Sequence, residues 1–329
     1  MAEPKPHHAV EPETAPTVAV AIVTWNSAGE IRACLDGLRG LPENWEVWVV
    51  DNASADATAA IVRDEFPFVR LVVNTDNRGF AAAGNQVIAA TAADYVLLLN
   101  PDTETGPGDL AKALGIIETD PQIGLLGVRL CNPDGSLQRS CFHFPTVVKN
   151  FVDNFGLFRL YAPERAAELF AGDFFDHLSA RDVDWVMGAF MLVRRAAIDR
   201  AGPIPEDYFM FAEDMDFCRR IADSGYVIRF SPEPVVKHQL NRSAGQRPAA
   251  WRIERTTLSK HLFAFKNYGI LKGRLIQLTD LAGICYRILR VRRREPDSPA
   301  LAEWRAYRRV IIRACLMSKR AIAARLRER

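Results

Sequence analysis

The sequence predicts an α/β protein built on a mostly parallel β-sheet that is flanked by helices. Three observations indicate this fold. Short, almost wholly apolar runs recur through the first part of the chain, at 18–23, 47–50 and 95–99. Polar turns follow these runs, and segments with helical spacing of apolar residues separate them. Strands buried on both faces of a parallel sheet have this apolar character, and helical crossovers connect them.

The elements of the first part follow from these patterns in order. We predict strands at 18–24, 47–50, 69–73, 95–100 and 123–130. Helices are expected at 30–38, in a segment that ends near 66, in an alanine-rich segment after Gly79, and at 110–117. Parallel strands joined in this way form an open sheet with right-handed crossovers.

The pattern changes after residue 130. We expect a hairpin-type turn at 132–135, an irregular aromatic stretch at 141–180, a strand at 183–193, a helix at 213–224 and a short strand at 227–230. From about residue 249 onward, the spacing predicts helices throughout.

These patterns divide the chain into three regions. Residues 1–16 are rich in Pro, Glu and Ala and are expected to form a disordered lead-in. Residues 17–248 form the α/β domain, whose two halves are 17–130 and 131–248. Residues 249–329 form a helical C-terminal extension.

The C-terminal extension is strongly basic. Residues 252–329 contain 20 Lys and Arg against 6 Asp and Glu, a balance of +14, whereas the preceding residues contain 22 against 34, a balance of −12. A basic region of this kind binds nucleic acid, an anionic membrane surface or a partner protein. We expect no nucleic acid, because the sequence contains no recognised nucleic-acid-binding module.

Two segments of the extension, 271–289 and 301–326, combine apolar and basic residues. An arginine cluster at 290–294 follows the first segment. Basic amphipathic helices lie on anionic membranes, where each basic residue contributes about 1 kcal/mol. A helical cap packed on the α/β domain and a homodimer interface are the alternatives. No stretch reaches the roughly 20 apolar residues of a membrane-spanning helix.

Cysteine spacing and missing motifs exclude several classes of protein. The six cysteines, at 34, 131, 141, 218, 285 and 315, form neither a CxxC pair nor a zinc-ligand pattern. They predict reduced thiols in a cytoplasmic protein. The absence of GxxxxGK[ST] and GxGxxG argues against a P-loop NTPase and an ordinary dinucleotide dehydrogenase.

The strand at 95–99 ends in Asn100, Pro101 and Asp102. Ligands of open α/β sheets bind beyond the carboxyl ends of such strands, and a carboxylate there suits a divalent cation that carries phosphates. A plain strand-ending turn is the alternative, because all three are turn residues. Polar residues also end the first two strands at this edge, at Thr24–Asn26 and Asp51.

The predicted helix at 213–224 begins with two carboxylates. Asp214 heads an apolar stripe, which contains Phe217, Cys218 and Ile221. Glu213 aligns with a mostly polar face, and we expect it to be more solvated. A carboxylate on an inner face is costly unless it is paired or functional, so we favour a functional role for Asp214. Complementing the helix dipole is the alternative.

His238 ends a short strand-like run and is either a structural histidine or a secondary ligand of an Mn²⁺-like ion. The polar segment 241–247 follows it. Arg242 and Arg247 in this segment either hold a diphosphate or belong to a solvated linker.

The ordered series VAIVTWN, VVDNAS, NRGFAAAGN, LLLNPDT, GAFMLVRR, FAEDMDFCRRIADSGY and VKH resembles family 2 inverting glycosyltransferases of the GT-A fold. It is most similar to bacterial rhamnosyltransferase-like members that build cell-wall or surface polysaccharides on a lipid carrier. The resemblance covers about residues 17–247. It implies a nucleotide-sugar half over 17–130 and an acceptor half over 131–248.

The resemblance implies a role for each matching residue. Asp214 matches the catalytic base, and Asp102 and His238 match the metal contacts. The residues assigned to the donor are Thr24, Asn26, Asp51, Asn77, Arg78, Gly79, Phe80, Asn85 and Asn100. The residues assigned to the sugar and acceptor are Trp185, Gly188, Ala189 and Glu213. Asn100 departs from the family's DxD pattern and leaves one carboxylate fewer for the metal.

The implied reaction is direct displacement at the anomeric carbon. Asp214 would deprotonate an acceptor hydroxyl, which contributes about 10²–10⁴-fold. Mg²⁺ or Mn²⁺ on Asp102 would stabilise charge on the departing nucleoside diphosphate. The implied donor is dTDP-rhamnose or, alternatively, a UDP-hexose or UDP-N-acetylhexosamine.

The implied acceptor is a glycan or a polyprenyl-linked sugar, which would place the protein peripherally on the inner face of the cell membrane. A non-catalytic nucleotide-sugar-binding scaffold protein is the alternative outside this class. The joint presence of Asp102 and Asp214 argues against it.

Overall fold

The computed structural model describes residues 15–162, 165, 175–239, 245, 248–295, 298 and 300–328. A ten-stranded mixed sheet lies at the centre, with helices on both faces. The predicted α/β class, with a mostly parallel sheet and a helical C-terminal region, is confirmed. The predicted lead-in lies outside the described residues, except for residues 15 and 16.

The secondary-structure elements alternate as the apolar runs predict. The strands are β1 (Val18–Thr24), β2 (Trp45–Asp51), β3 (Val69–Val73), β4 (Tyr95–Leu99), β5 (Thr103–Glu104), β6 (Ile123–Cys131), β7 (Leu137–Gln138), β8 (Cys141–Phe142), β9 (Arg181–Asp182), β10 (Trp185–Val186), β11 (Phe190–Arg194) and β12 (Val227–His238). The helices are α1 (Ile31–Asp36), α2 (Thr58–Glu65), α3 (Phe80–Ala90), α4 (Pro107–Glu118), α5 (Val147–Phe155), α6 (Arg195–Ala201), α7 (Glu213–Asp223), α8 (Ala249–Arg294), α9 (Ala300–Leu316) and α10 (Lys319–Arg327), and a 3₁₀ turn covers Leu157–Leu160.

The order of the strands brings the polar ends of β1, β2 and β4 to one edge. The main path through the sheet is β3-β2-β1-β4-β11-β6-β12-β5. Strands β1 to β4 run parallel, and β6 pairs in parallel with β12. Strand β11 lies antiparallel between β4 and β6. In this register Thr24 is opposite Asp51, and Ile22 is opposite Leu99.

The core covers both faces of the sheet. In β4, Leu97 and Leu99 face the cluster that contains α1, α2 and α4, whereas Val96 and Leu98 face the cluster that contains α3, α6 and α7. All of Tyr95–Leu99 is buried. Burying such a side chain contributes about 1.5–3 kcal/mol, which explains why this strand is apolar throughout.

Two strand predictions need correction. The single strand predicted at 183–193 is two strands, β10 and β11, because the chain turns between them and β10 pairs with β8 rather than with the main sheet. The short strand predicted at 227–230 continues through His238, with an irregularity in its pairing between Ser231 and Val235.

The C-terminal helices pack against the α/β part and against one another. Helix α8 kinks at Gly269, where φ is 79°. Leu258, Leu262 and Phe265, in its first half, pack with residues of α9 and α10, namely Ala314, Ile322 and Leu326. The buried apolar residues of the predicted amphipathic segment 301–326 therefore serve packing, whereas Ile312 and Leu316 are exposed. No helix in the described part of the chain is long and apolar enough to cross a membrane.

Candidate active site

A cavity of about 730 Å³ opens at the carboxyl ends of β1 and β4. This volume lies in the range of small-molecule binding sites. Twelve of the residues singled out from the sequence line it: Thr24, Asn77, Gly79, Phe80, Asn100, Asp102, Trp185, Gly188, Ala189, Glu213, Asp214 and His238. The fold therefore brings both halves of the predicted site into one cavity.

Asp102 and His238 meet because β5 pairs with the end of β12. Thr103 is opposite His238 in this antiparallel pair, and the amide of Gln239 donates to the carbonyl of Asp102 at 2.9 Å. The His238 Nε2 atom lies 3.2 Å from the Asp102 Oδ1 atom. Both side chains are almost fully buried.

Gln138 determines which nitrogen of His238 carries the proton. Its amide Nε2 donates to the Asn132 side chain and to the His238 carbonyl, so its Oε1 faces His238 Nδ1 at 2.6 Å. We therefore assign the proton to Nδ1, which donates to Gln138. The lone pair of Nε2 then lies beside the Asp102 carboxylate, and Asn100 Nδ2 donates to it at 3.3 Å.

This donor set fits a divalent cation that a substrate shares. Asp102 offers a carboxylate oxygen and His238 offers an imidazole nitrogen whose other nitrogen is held by a hydrogen bond, as is usual for histidine ligands. Among the described residues, no three His, Cys, Asp or Glu side chains form a metal-holding cluster. A cation here would need oxygens from a ligand, and Mg²⁺ sites with one or two carboxylates and substrate phosphates have this composition.

Asp214 stands at the N-terminus of α7. The backbone N–H of Gly188 donates to Asp214 Oδ2 at 3.0 Å, and that of Met215 donates to Oδ1 at 2.8 Å. Phe211 and Ala212, just before the helix, both have left-handed backbone, with φ of 73° and 70°. Such strain in non-glycine residues persists only where the surroundings hold it, often at functional sites.

The predicted solvation of Glu213 is wrong. Its side chain is buried, and its Oε2 atom has no hydrogen-bond partner within the part of the chain that the structure describes. The pattern within α7 could not show this, because the burial of this face depends on distant residues, such as Lys266 of α8, which pairs with buried Asp216. Burial, and then the charge of Asp214, raises the pKa of Glu213 to about 8.

Burial also raises the pKa of Asp214, while the two backbone N–H groups act in the opposite direction. The two neighbouring carboxyl groups are held differently. Two backbone N–H groups donate to the Asp214 carboxylate, whereas Glu213 Oε2 has no hydrogen-bond partner among the described residues. Neighbouring carboxyl groups in unlike environments are a common basis for acid–base chemistry.

The donor-side loops form a hydrogen-bonded wall behind the cavity. Thr24 Oγ1 donates to Asp51 Oδ1 at 2.9 Å, and the Ser54 amide donates to Asp51 Oδ2 at 2.9 Å. Asn26 Oδ1 accepts from the amide of Ala55 at 2.8 Å. Asp51 and Asn26 are not among the residues that line the cavity, so their donor roles stay predictions.

Position 79 requires glycine, because a side chain would not fit there. Its φ is 82°, and a Cβ atom there would lie 2.7 Å from the carbonyl oxygen of Phe209. Asn77 Oδ1 accepts from the Gly79 amide at 3.0 Å, and Asn52 Nδ2 donates to the Gly79 carbonyl at 3.1 Å. This turn brings Asn77 and Phe80 to the cavity.

Asn85 does not reach the cavity. Its amide nitrogen donates to the Ile204 carbonyl and to Glu206, and its oxygen accepts from the Ile204 amide. The Asn85 side chain thus ties α3 to the loop after α6, and its donor role stays a prediction. Arg78 does not line the cavity either, and Arg242 and Arg247 lie outside the described residues.

Several cavity residues escaped the sequence analysis. They come from α5 and from the first half of α8, and are Lys149, Asn150, Asp153, Asn154, Thr256, Ser259 and Lys260. Trp185, at this end of the cavity, stacks on Phe142 with ring centroids 4.5 Å apart. No local motif marks such residues, because their position depends on how distant helices pack.

One buried ionic network holds α5 to α8. The Asp280 carboxylate accepts from Lys260 at 2.7 Å, from His261 at 2.9 Å and from Asn150 and Asn154, each at 2.9 Å. Although burial acts against its ionisation, Lys260 and His261 hold the pKa of Asp280 well below its usual range. The helical extension is therefore part of the cavity wall.

The fold and the cavity define a GT-A nucleotide-sugar transferase. Residues 19–175 match the family described as glycosyl transferase family 2. This match spans slightly less than half of the chain, and the protein is a glycosyltransferase that resembles this family.

Curated relatives agree with this family. The chain is 29% identical over 218 residues to N-acetylglucosaminyl-diphospho-decaprenol L-rhamnosyltransferase of Mycobacterium tuberculosis, over 62% of this chain and 69% of that protein. It is 25% identical over 253 residues to rhamnosyltransferase WbbL of Escherichia coli K12, over 73% of this chain and 90% of that protein.

Solved structures share the fold. The mannosyltransferase PcManGT from Pyrobaculum calidifontis, in complex with GDP-Man and Mn²⁺, aligns with a TM-score of 0.57 at 20% identity, over 95% of this chain and 90% of that chain. GalNAc-T7 with UDP, GalNAc and Mn²⁺ aligns with a TM-score of 0.55 at 13% identity, over 78% of this chain and 50% of that chain.

Proposed function

We propose that this glycosyltransferase moves a sugar from a nucleoside diphosphate donor to a hydroxyl group with inversion at the anomeric carbon, assisted by a divalent metal. One observation carries the proposal. Asp102 and His238, which fit a cation, line the same cavity as Asp214, a carboxylate that two backbone N–H groups orient. A direct displacement needs both a stabilised leaving group and a base, and this cavity supplies candidates for each.

Asp214 is the proposed base. Ionised and held by Gly188 and Met215, it would accept the proton of the acceptor hydroxyl as the new bond forms. Glu213 keeps its own proton beside it and so adds no second negative charge. No covalent intermediate is needed, and the reaction therefore inverts the configuration of the transferred sugar.

Asp102 and His238 are the proposed metal contacts, with Gln138 orienting the imidazole. When bound, Mg²⁺ or Mn²⁺ neutralises charge that develops on the departing diphosphate. Asn100 supplies no second carboxylate, so Asp102 and His238 would hold the cation together with oxygens of the donor's phosphates. The remaining donor contacts are proposed for Thr24, Asn77, Gly79 and Phe80.

We propose dTDP-rhamnose as the donor, and a UDP-hexose or UDP-N-acetylhexosamine as the second candidate. The names of the two curated relatives, both rhamnosyltransferases, support the first. We propose a polyprenyl-linked glycan as the acceptor, since the mycobacterial relative is named for a decaprenol-linked substrate. Such an acceptor would place the protein at the inner face of the cell membrane.

We also propose that the catalytic unit extends beyond the predicted boundary at 248. The nucleotide-sugar half remains 17–130 and the acceptor half 131–248. Thr256, Ser259 and Lys260 support the extension, because they line the cavity and Lys260 is fixed by Asp280.

Thermal unfolding with a panel of nucleotide sugars tests the donor proposal. A ligand of the native state stabilises it by RT ln(1 + [L]/Kd). We expect dTDP-rhamnose to raise Tm most, with a larger rise when Mn²⁺ is present, and Asp102→Ala to lose the Mn²⁺-dependent part. A larger rise with UDP-sugars would favour the second donor, and no rise with any donor would contradict the proposal.

A further inference from the structure

The second half of α8 carries an apolar stripe that faces solvent. Leu271, Leu275, Leu278, Tyr286 and Leu289 are 75%, 41%, 56%, 41% and 56% exposed. Their spacing, with exposed Ala282 between Leu278 and Tyr286, places them on one face of the helix. Contiguous exposed apolar surface of this kind marks an interaction site.

The opposite face of the same helix is packed, which fixes the direction of the stripe. Ile284 and Ile288 are buried with Leu301 and Ile311 of α9. Gly283 lies so close to Asn154 that a Cβ atom there would be 2.5 Å from the Asn154 Cβ. The stripe therefore cannot turn inward without breaking the contact between α8 and α5.

Helix α5 extends the stripe to the cavity. Phe151 packs against Phe155, and Phe155 packs against Tyr286 of the stripe, in tilted ring pairs with centroids 4.8 and 5.5 Å apart. The other side of α5 lines the cavity through residues such as Lys149 and Asn150. One short helix thus separates an apolar outer surface from the acceptor end of the cavity.

Basic residues flank the stripe at both ends. Lys272 is exposed beside Leu271, and exposed Arg292, Arg293 and Arg294 follow Leu289 within the next turns. The acidic residue of this half of the helix, Asp280, is buried and paired with Lys260 and His261. The exposed face is therefore apolar in the middle and cationic at its ends.

We infer that the stripe docks on the surface of an anionic lipid bilayer and that a lipid-linked acceptor reaches the cavity past α5. The apolar side chains would enter the headgroup boundary while the arginines contact anionic headgroups. A second copy of the chain would cover the apolar part but would bring the same positive charges. The acceptor part of the inference rests on the proposed function, whereas the docking part does not.

Vesicle co-sedimentation of the full chain tests the docking surface. We compare the wild type with Leu271→Gln/Leu278→Gln, using vesicles of phosphatidylcholine alone and of phosphatidylcholine with phosphatidylglycerol. We expect the wild type to bind the anionic vesicles more strongly than the phosphatidylcholine vesicles. The double variant should bind the anionic vesicles at least about tenfold more weakly than the wild type does. Arg292→Glu/Arg293→Glu should lose the preference for anionic vesicles.

Phe68→Gln/Val73→Gln is the matched control, because it also removes two exposed apolar side chains. Phe68 precedes the edge strand β3, and Val73 is its last residue. It should bind vesicles like the wild type. Equal binding of the stripe variant and the wild type, or no binding of the wild type, would overturn the docking surface. Sedimentation equilibrium gives a further test. A dimeric wild type and a monomeric stripe variant would also overturn the docking surface, because a second copy of the chain would then cover the stripe.

Transfer to a soluble acceptor analogue separates this inference from the proposed function. The stripe variant should transfer to the soluble analogue at the wild-type rate, and more slowly to a polyprenyl-linked acceptor in vesicles. Vesicle binding without any sugar transfer would refute the proposed function alone. Equal slowing with both acceptors would overturn the entry route past α5.

Discussion

The backbone N–H of Gly188 donates a hydrogen bond to the Asp214 carboxylate at 3.0 Å. This contact joins the turn between β10 and β11 to the first turn of α7. A Cβ atom at position 188 would lie 3.5 Å from Asp214 Oδ2, which is an ordinary contact distance. The backbone of the turn therefore lies directly beside the carboxylate. The two elements thereby fix the direction in which the proposed base faces the cavity.

The first prediction concerns that base. Asp214→Asn should lower the transfer rate by about 10²–10⁴-fold, because the amide cannot accept the acceptor proton. Donor affinity, measured by calorimetry, should stay at the wild-type value. Asp223→Asn, an exposed carboxylate on the same helix, is the control and should keep full activity. A fully active Asp214→Asn would refute the assignment.

The second prediction concerns pH and Glu213. The folded state holds the Glu213 proton up to a pKa of about 8, whereas an unfolded glutamate releases it near 4.5. Between these values the folded state binds more protons, so the free energy of unfolding should fall as pH rises, by at most about 1.4 kcal/mol per pH unit. Glu213→Gln should flatten this fall.

Urea unfolding at pH 5 and pH 8 measures the effect. Glu213→Gln should gain stability relative to the wild type at pH 8, whereas exposed Glu118→Gln should keep the wild-type pH dependence. An unchanged pH dependence in Glu213→Gln would show that Glu213 is not the group that titrates.

The third prediction concerns the metal. Removing divalent cations with EDTA should abolish transfer, and Mn²⁺ should restore it. Gln138→Leu removes the acceptor that holds the proton on His238 Nδ1, so about 10–100-fold more Mn²⁺ should be needed for half-maximal activity. Exposed Gln122→Leu is the control for the same chemical change. An identical Mn²⁺ requirement in Gln138→Leu would contradict the orientation of His238.

The fourth prediction concerns the network between α5 and α8. Asp280→Ala leaves Lys260 and His261 without their carboxylate, and breaking a buried pair in this way should cost about 3–5 kcal/mol. Asp223→Ala breaks an exposed pair with Arg219 and should cost no more than about 1 kcal/mol. Denaturant midpoints of both variants measure the difference, and equal losses would contradict the structural role of Asp280.

Local patterns predict the parts of this molecule that local chemistry determines. The strands 18–24 and 69–73 have the predicted bounds, because their apolar residues end where polar turns begin. The stripe below Asp214 is also as predicted, since Phe217, Cys218 and Ile221 are fully buried. The place of Asp102 after a buried strand also predicts a cation-binding carboxylate, whereas only the family resemblance joins it with His238 in one metal site.

The failures share a different cause, which is contact between distant segments. Glu213 was expected to be solvated, but the burial of its face of α7 depends on distant residues, such as Lys266 of α8. Lys149 and Lys260 reach the cavity because α5 and α8 pack there, which neither helix shows in its own sequence.

The anomeric configuration of the product shows whether Asp214 acts as the base of a single inverting displacement. Wild-type protein, Mn²⁺, nucleotide sugar and a soluble acceptor analogue are incubated, and the new linkage is examined by NMR beside the same reaction with Asp214→Asn. We expect a product whose anomeric configuration is opposite to that of the donor, and its near-complete loss in Asp214→Asn. A product that retains the donor's configuration, or undiminished transfer by Asp214→Asn, would contradict this mechanism.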